Sequence, residues 1–334
     1  MPRIKAQPMP RRRTLAEFAE QGIATAHGSH VSDLNFKAFM VEVFDTPESH
    51  SQFEQSDLRD PDSKSHGSVG PPWSDEAAEE YKKKASEFVL TGCHDPELFY
   101  KNVLCKSEED CKKDETYPQK SIGWLQARSC SITGSDFASA MCRNPYKSSK
   151  RFLSDKVDSA HGESSKYAQW GTDHEEHAEE AFRVVLDTRC TSPYRIDHPT
   201  IFKHVDAQWI AVSPDGILRH RDSSGNDVVE LIEYKAPAYY RHSTEYPYQK
   251  HMGGIPPQYY DQIQGTMWLM RNYGVCPGSK TVKGAYFVVW QPHALSVVYV
   301  PYCEEFASQL STKLKQFYFE KFIPKCIDKL KRTT

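Results

Sequence analysis

Residues 213–237 read SPDGILRHRDSSGNDVVELIEYKAP. DSSGN is a strong turn signal between two runs of strand-forming residues, so the stretch predicts a β-hairpin. Counting outward equally from Ser224 sets Asp215 opposite Glu233. Opposed side chains in an antiparallel pair lie roughly 4.5–5.5 Å apart at Cβ. Two like charges so placed repel each other, and a sheet built for stability alone avoids that. A divalent cation between them reverses the sign of the interaction. Strand alternation puts Lys235 on the face of Glu233. A bulge or longer loop would shift the pairing by one residue. Taken alone, the spacing is a loose pattern that a surface ion pair and a structural turn also satisfy.

Carboxylate oxygens, with no Cys or His required, suit Mg²⁺ or Mn²⁺ better than zinc. A metal held by Asp and Glu beside a Lys is apparatus for phosphodiester hydrolysis. The metal lowers the pKa of a bound water and neutralises phosphate charge, while the Lys positions or deprotonates the water. A further acid comes from WGTDHEEHAEEAFRVVL, where Ala178, Phe182 and Val185 extend a helical stripe from Glu175. An acid on such a stripe is costly unless paired or coordinated. A Glu at the stripe's edge reaching water is the competing reading. His174 and His177 are too close for a helical metal pair four residues apart, and read as surface histidines or supports of the site.

Outward from the hairpin, strands are predicted at 207–212, 217–220, 228–235, 284–290 and 295–300. Helices are expected from Ser74 to about Leu90, from near Ser135 or Asp136, over 167–186, after the prolines of PPQYYDQIQGTMWLM, and through CEEFASQLSTKLKQFYFEKF. Phe306, Leu310, Leu314 and Phe317 mark the last as core-facing. Strands interrupted by helices and hairpins argue for an α/β or α+β fold around a mixed sheet. Residues 12–44 carry two helix-like patterns, one with Leu15, Phe18 and Ile23, the other with Phe36, Phe39, Met40 and Val43. Residues 46–72 are polar and turn-rich, a linker or disordered loop, and 106–120 read as a solvated connection.

The chain has 334 residues and a formal net charge of −3. No global basic field advertises a nucleic-acid partner, so such binding needs a local cationic groove. Nine cysteines without a CxxC pair fit reduced thiols in an intracellular protein that is not secreted. No apolar run approaches the ~20 residues that span a bilayer. The opening MPRIKAQPMPRRRTLAEF is basic, and fits a mitochondrial presequence, a nuclear import patch or a solvated end. The residues leave these open.

WLQARSCSITGSDF, WGTDHEEHA, SPDG, EYKAP and PPQYYDQIQGTMWLM occur in this order across roughly residues 123–300. The series closely resembles the lambda-exonuclease-like nucleases, the YqaJ viral recombinase family of the PD-(D/E)XK superfamily. The resemblance implies a restriction-endonuclease-like core, a central mixed sheet flanked by helices, over 116–334. Residues 1–115 then form a helical extension. Position by position, it implies metal-binding acids at Asp215 and Glu233, with the Tyr234 carbonyl as a further ligand, and a catalytic Lys235. Glu175 matches the helix acid that completes the metal site, and Gln262 a glutamine near it, with Gln264 as the alternative. Arg128 and Ser135, joined by Ser213, match residues that hold a 5′-terminal phosphate, although a capping or surface arginine is the plain reading of Arg128.

The expected function is a Mg²⁺-dependent deoxyribonuclease (Mn²⁺ substituting), a 5′→3′ exonuclease on linear duplex DNA with a 5′-phosphate. It would serve recombination, repair or viral-type DNA processing, alongside a strand-annealing protein or as a homo-oligomer. The rival readings are an endonuclease or RNA-degrading relative, and a DNA-end-binding module that cuts little. The loop YRHSTEYPYQKHMGGI, 240–255, and the basic run RNPYKSSKRFLSDK, 143–156, are departures that suit either nucleic-acid contact or ordinary packing.

Overall fold

A computed structural model describes residues 12–13, 41–45, 75–158, 166–189, 193–222, 225–243, 245–274 and 282–333. The hairpin forms as its sequence dictates. Strands β6 (Gly216–Arg221) and β7 (Asp227–Lys235) pair antiparallel, with Gly216 opposite Ile232. Gly225 takes the left-handed conformation at φ +81°, which a glycine adopts without steric cost. The Asp222 carboxylate accepts from the Asn226 backbone N–H at 2.9 Å and closes the turn.

This hairpin lies within a seven-stranded mixed sheet of order β1-β2-β9-β8-β7-β6-β4. Its other members are β1 (Arg12–Arg13), β2 (Val41–Asp45), β4 (Arg195–Asp197), β8 (Val282–Gln291) and β9 (Ala294–Pro301). β8 runs parallel to β7. Parallel neighbours need a crossover, and the helix Pro257–Asn272 supplies it, opening on a proline that costs no helical hydrogen bond. A separate parallel pair joins β3 (Ile132–Thr133) to β5 (Ile210–Ala211).

Alternation assigns the two faces of the sheet. Val229 and Leu231 pack with Ile263, Met267 and Met270 of the crossover helix. Ile232 and Tyr234 pack with Ala178 and Phe182 of the helix Glu175–Arg189. Covered on both faces, β7 is buried almost throughout, as its near-continuous apolar sequence requires. Glu233 and Lys235 therefore share the parity of Leu231 and point toward the crossover helix. The mixed sheet flanked by helices agrees with the sequence expectation.

Several expectations are corrected. The run 41–45, read as helical, is a strand paired with β9. Its valines favour extended structure, and the edge of β9 offers unsatisfied backbone groups. The remainder of the two patterns in 12–44, and the linker 46–72, lie outside the described residues. Residues 106–120 are not merely solvated. Ser107 caps a helix Glu108–Asp114 whose Cys111 and Asp114, three apart, turn inward.

The core does not stop at residue 115. Phe88, Phe99 and Val103 share one cluster with Phe137, Phe152, Leu310, Tyr318 and Ile327. The helix expected over 167–186 breaks into Lys166–Asp173 and Glu175–Arg189. Between them His174 donates from its backbone to the Gly171 carbonyl at 3.4 Å. The described cysteines are free. Among the described residues no helix is long and apolar enough to cross a membrane.

Candidate active site

One step beyond the Gly216–Ile232 pair sets Asp215 opposite Glu233, at the open end of the hairpin. Asp215 accepts from the Tyr234 backbone N–H at 2.8 Å. Glu233 is 5% exposed. It accepts from the Lys235 ammonium and, at 2.6 Å, from the Gln262 side-chain amide. Lys235 also donates to the Tyr234 carbonyl at 2.9 Å and lies 4.0 Å from the Asp215 carboxylate. Its ammonium sits 5.4 Å from the centre of the Tyr259 ring.

Two acids against one lysine leave a local excess of negative charge, and the pKa directions reflect it. Burial, then the Glu233 carboxylate, pushes Asp215 up to about 7. Burial alone would depress Lys235, but Glu233 and Asp215 outweigh it and hold the ammonium above its ordinary value.

The two candidate glutamines separate cleanly. Gln264 is fully buried, donates to the Pro301 carbonyl at 2.8 Å and accepts from the Cys303 N–H at 2.9 Å. It ties the crossover helix to the end of β9. Gln262 alone of the two reaches the acids. Glu175 opens its helix, where the dipole favours an anion. Its side chain is 41% exposed and pairs with Lys120 at 3.3 Å, so it sits at the edge of the apolar stripe. Burial, then Asp215, raises its carboxyl above the usual range. His174 is no surface residue. It is 6% exposed and lies between Trp170, at 3.9 Å, and Trp290, at 5.2 Å.

Two of the three expected phosphate-binding residues, Arg128 and Ser213, meet at a tryptophan that sequence reasoning passed over. The Arg128 guanidinium lies 3.8 Å over the Trp124 ring. The Trp124 indole N–H donates to Ser213 Oγ at 3.2 Å and to the Thr200 carbonyl at 2.9 Å. Their four-residue helical spacing was the available signal. Burial lowers Arg128 to about 10, which leaves it charged at neutral pH. Ser135 is exposed on the single turn Gly134–Asp136. That turn abuts the crossover helix so closely that a Cβ at Gly134 would lie 3.3 Å from Gln262 Cγ. Asp136 holds the turn by accepting from Thr133 Oγ1 at 2.6 Å and Lys156 at 2.9 Å. Lys120, beside Glu175, was also missed. Its left-handed φ of 68°, uncommon outside glycine, is invisible in sequence.

An open cleft of about 610 Å³ borders Asp215 and Tyr234 and is lined also by Glu175, Glu179, His198 and Thr200. A larger groove of about 730 Å³, lined by Pro96, Lys315 and Phe319, has no such cluster, so chemistry rather than volume picks out the site. Among the described residues no three His, Cys, Asp or Glu side chains lie close enough together to hold a metal ion. The donor set that fits a hard cation is two carboxylates, Asp215 and Glu233, with the Tyr234 carbonyl. In this structure the Lys235 ammonium bonds Glu233 and that carbonyl.

Residues 123–271 match the family model described as the YqaJ-like viral recombinase domain. No curated protein matches the chain. A similar solved structure is the Shutoff and Exonuclease Protein from Kaposi's sarcoma-associated herpesvirus. It is 12% identical, with a TM-score of 0.41 over 75% of this chain and 86% of that one. Every candidate residue named above from Trp124 to Gln262 falls within the segment that matches the YqaJ-like viral recombinase domain.

Proposed function

We propose that the protein is a Mg²⁺-dependent deoxyribonuclease, with Mn²⁺ as substitute, acting as a 5′→3′ exonuclease on linear duplex DNA. The observation that carries the reading is the convergence of Asp215, Glu233, Lys235 and Gln262 at one strand end. A stable fold gains nothing from opposing the buried Glu233 to a half-buried Asp215 there, whereas a hydrolytic centre needs both acids. When bound, the cation would acidify a water and offset charge on the scissile phosphate. Lys235 would hold the attacking oxygen and stabilise the crowded anion, and Gln262 would fix the orientation of Glu233. Tyr234 pins Asp215 through its backbone N–H. Arg128, pre-placed on Trp124 beside Ser213, would take the terminal phosphate, which carries more charge than an internal diester. The family match is in keeping with work in recombination.

The test is digestion of end-labelled linear and circular DNA and of RNA, with Mg²⁺ or EDTA. Linear duplex is expected to be degraded from its 5′ ends with Mg²⁺ only. Cleavage of circles or preferential loss of RNA would replace the exonuclease reading by an endonuclease or RNA-degrading one. Binding without cleavage would leave a DNA-end-binding module.

A further inference from the structure

Two elements joined by the chain to Glu175 and Lys235 carry exposed aromatic rings that the proposed chemistry does not use. The helix Lys166–Asp173 leads through His174 straight into Glu175, and the single turn Ala238–Tyr240 follows closely on Lys235. The two elements touch. A Cβ at Gly171 would lie 3.8 Å from the Ala236 carbonyl oxygen, and the Arg241 guanidinium lies 6.0 Å over the Trp170 ring. Tyr167 precedes Trp170 by one helical turn and so lies on the same side of its helix. Tyr167 is 55% exposed and Tyr239 77%. Both elements also carry cations. The Lys166 ammonium is 5.7 Å from the Tyr167 ring, and Arg241 follows Tyr239 by two residues. Tyr239 is braced from behind, since its ring meets Tyr240 edge-on at 5.1 Å and Tyr240 meets Tyr248 at 6.5 Å. Tyr248 in turn lies 5.9 Å from the buried Phe287.

We infer that these two touching elements form a stacking platform for unpaired bases of the strand whose backbone enters the cleft. The inference rests on the nuclease reading above and names the form in which the substrate is taken. Large aromatic rings exposed to water, on elements that adjoin the acidic centre along the chain, gain most by covering a flat π-surface. The faces of bases inside a duplex are already covered by their neighbours, so only an unpaired base can stack there. Stacking is indifferent to base identity, and the flanking Lys166 and Arg241 meet the phosphates that accompany any base.

The experiment measures binding of the full chain in EDTA, where no cleavage intervenes, to a fluorescent single strand of about 12 nucleotides and to the matching blunt duplex. Tyr239→Ala is expected to weaken single-strand binding about fivefold or more, with duplex binding changed less than about twofold. Tyr239→Phe, which keeps the ring, is expected to bind as wild type, whereas Tyr239→Leu should behave like Ala. Tyr167→Ala should show the same selectivity. Wild-type affinity for the single strand in both alanine variants, or an equal loss on strand and duplex, would overturn the inference. Digestion of linear duplex by the wild type with Mg²⁺ is followed in parallel. Its absence would remove the nuclease reading, and the binding comparison would still decide the platform.

Discussion

Two acidic sites, Asp261 and the pair Asp215–Glu233, hold their charge in opposite ways. Asp261, fully buried on the crossover helix, accepts two hydrogen bonds from Arg143, one at 2.9 Å. One acid meets one planar fork. Burial raises the Asp261 carboxyl to about 6, against the pull of Arg143. At the hairpin end Asp215 and Glu233 share Lys235, and their charges do not balance. The first arrangement ties the 141–148 segment to the crossover helix, and nothing in it is left over. The second keeps a charge deficit that only a cation or a proton can fill. Stability and function are thus told apart by stoichiometry of charge rather than by burial, which the two sites share.

The largest contrast is expected from truncating each cluster. Lys235→Ala, Asp215→Ala and Glu233→Ala should each lower the rate of linear duplex digestion about 10²-fold or more while the fold is kept. A Lys235→Ala enzyme that digests at the wild-type rate would dissolve the distinction. Arg143→Ala should do the reverse. It leaves Asp261 buried and unpaired, a change of about 3 kcal/mol in unfolding free energy once the half-exposure of Arg143 is allowed for. Urea denaturation reads this directly, and an unchanged midpoint would show that Asp261 finds another partner.

The proton offers a sharper comparison. An unfolded aspartate has a pKa of about 3.9, whereas folded Asp215 holds its proton to about 7. A raised carboxyl favours the folded state while protonated. That stability is complete below about pH 4 and is lost as the pH rises to about 7. In EDTA, Asp215→Asn should therefore stabilise the protein at pH 8, by about 1–3 kcal/mol, and have little effect at pH 4. A destabilised variant at pH 8 would mean that Lys235 already balances the acids. Mg²⁺ binding should release a proton below about pH 7, so affinity measured calorimetrically should rise with pH through that range. The smallest effect is at the phosphate residues. Wild type should prefer 5′-phosphorylated over 5′-hydroxyl ends, and Arg128→Ala should reduce that ratio severalfold while sparing Mg²⁺ binding. Equal rates on both ends by the wild type would remove the terminal-phosphate role.

The hairpin, its register and the facing acids were legible from residues 213–237 alone. A turn signal fixes the centre and a period of two fixes the faces, and both are properties of the covalent chain at short range. The crossover helix and the C-terminal helix were legible for the same reason. What the sequence withheld depends on which surface meets which. Gln262 and Gln264 differ by two positions on one helix, and only packing turned the first to Glu233 and the second to Pro301. Trp124 could be seen as an apolar residue, but not as the group that carries Arg128 and reaches Ser213, 89 residues further along the chain than Trp124. Val41–Asp45 became a strand because an edge was open beside it, and Phe88 and Phe99 became core because distant helices covered them. Local periodicity states that a face is apolar or that two acids oppose each other. The partner that covers the face, and the glutamine that reaches Glu233 from another element, are selected by long-range burial, which no spacing along the chain encodes.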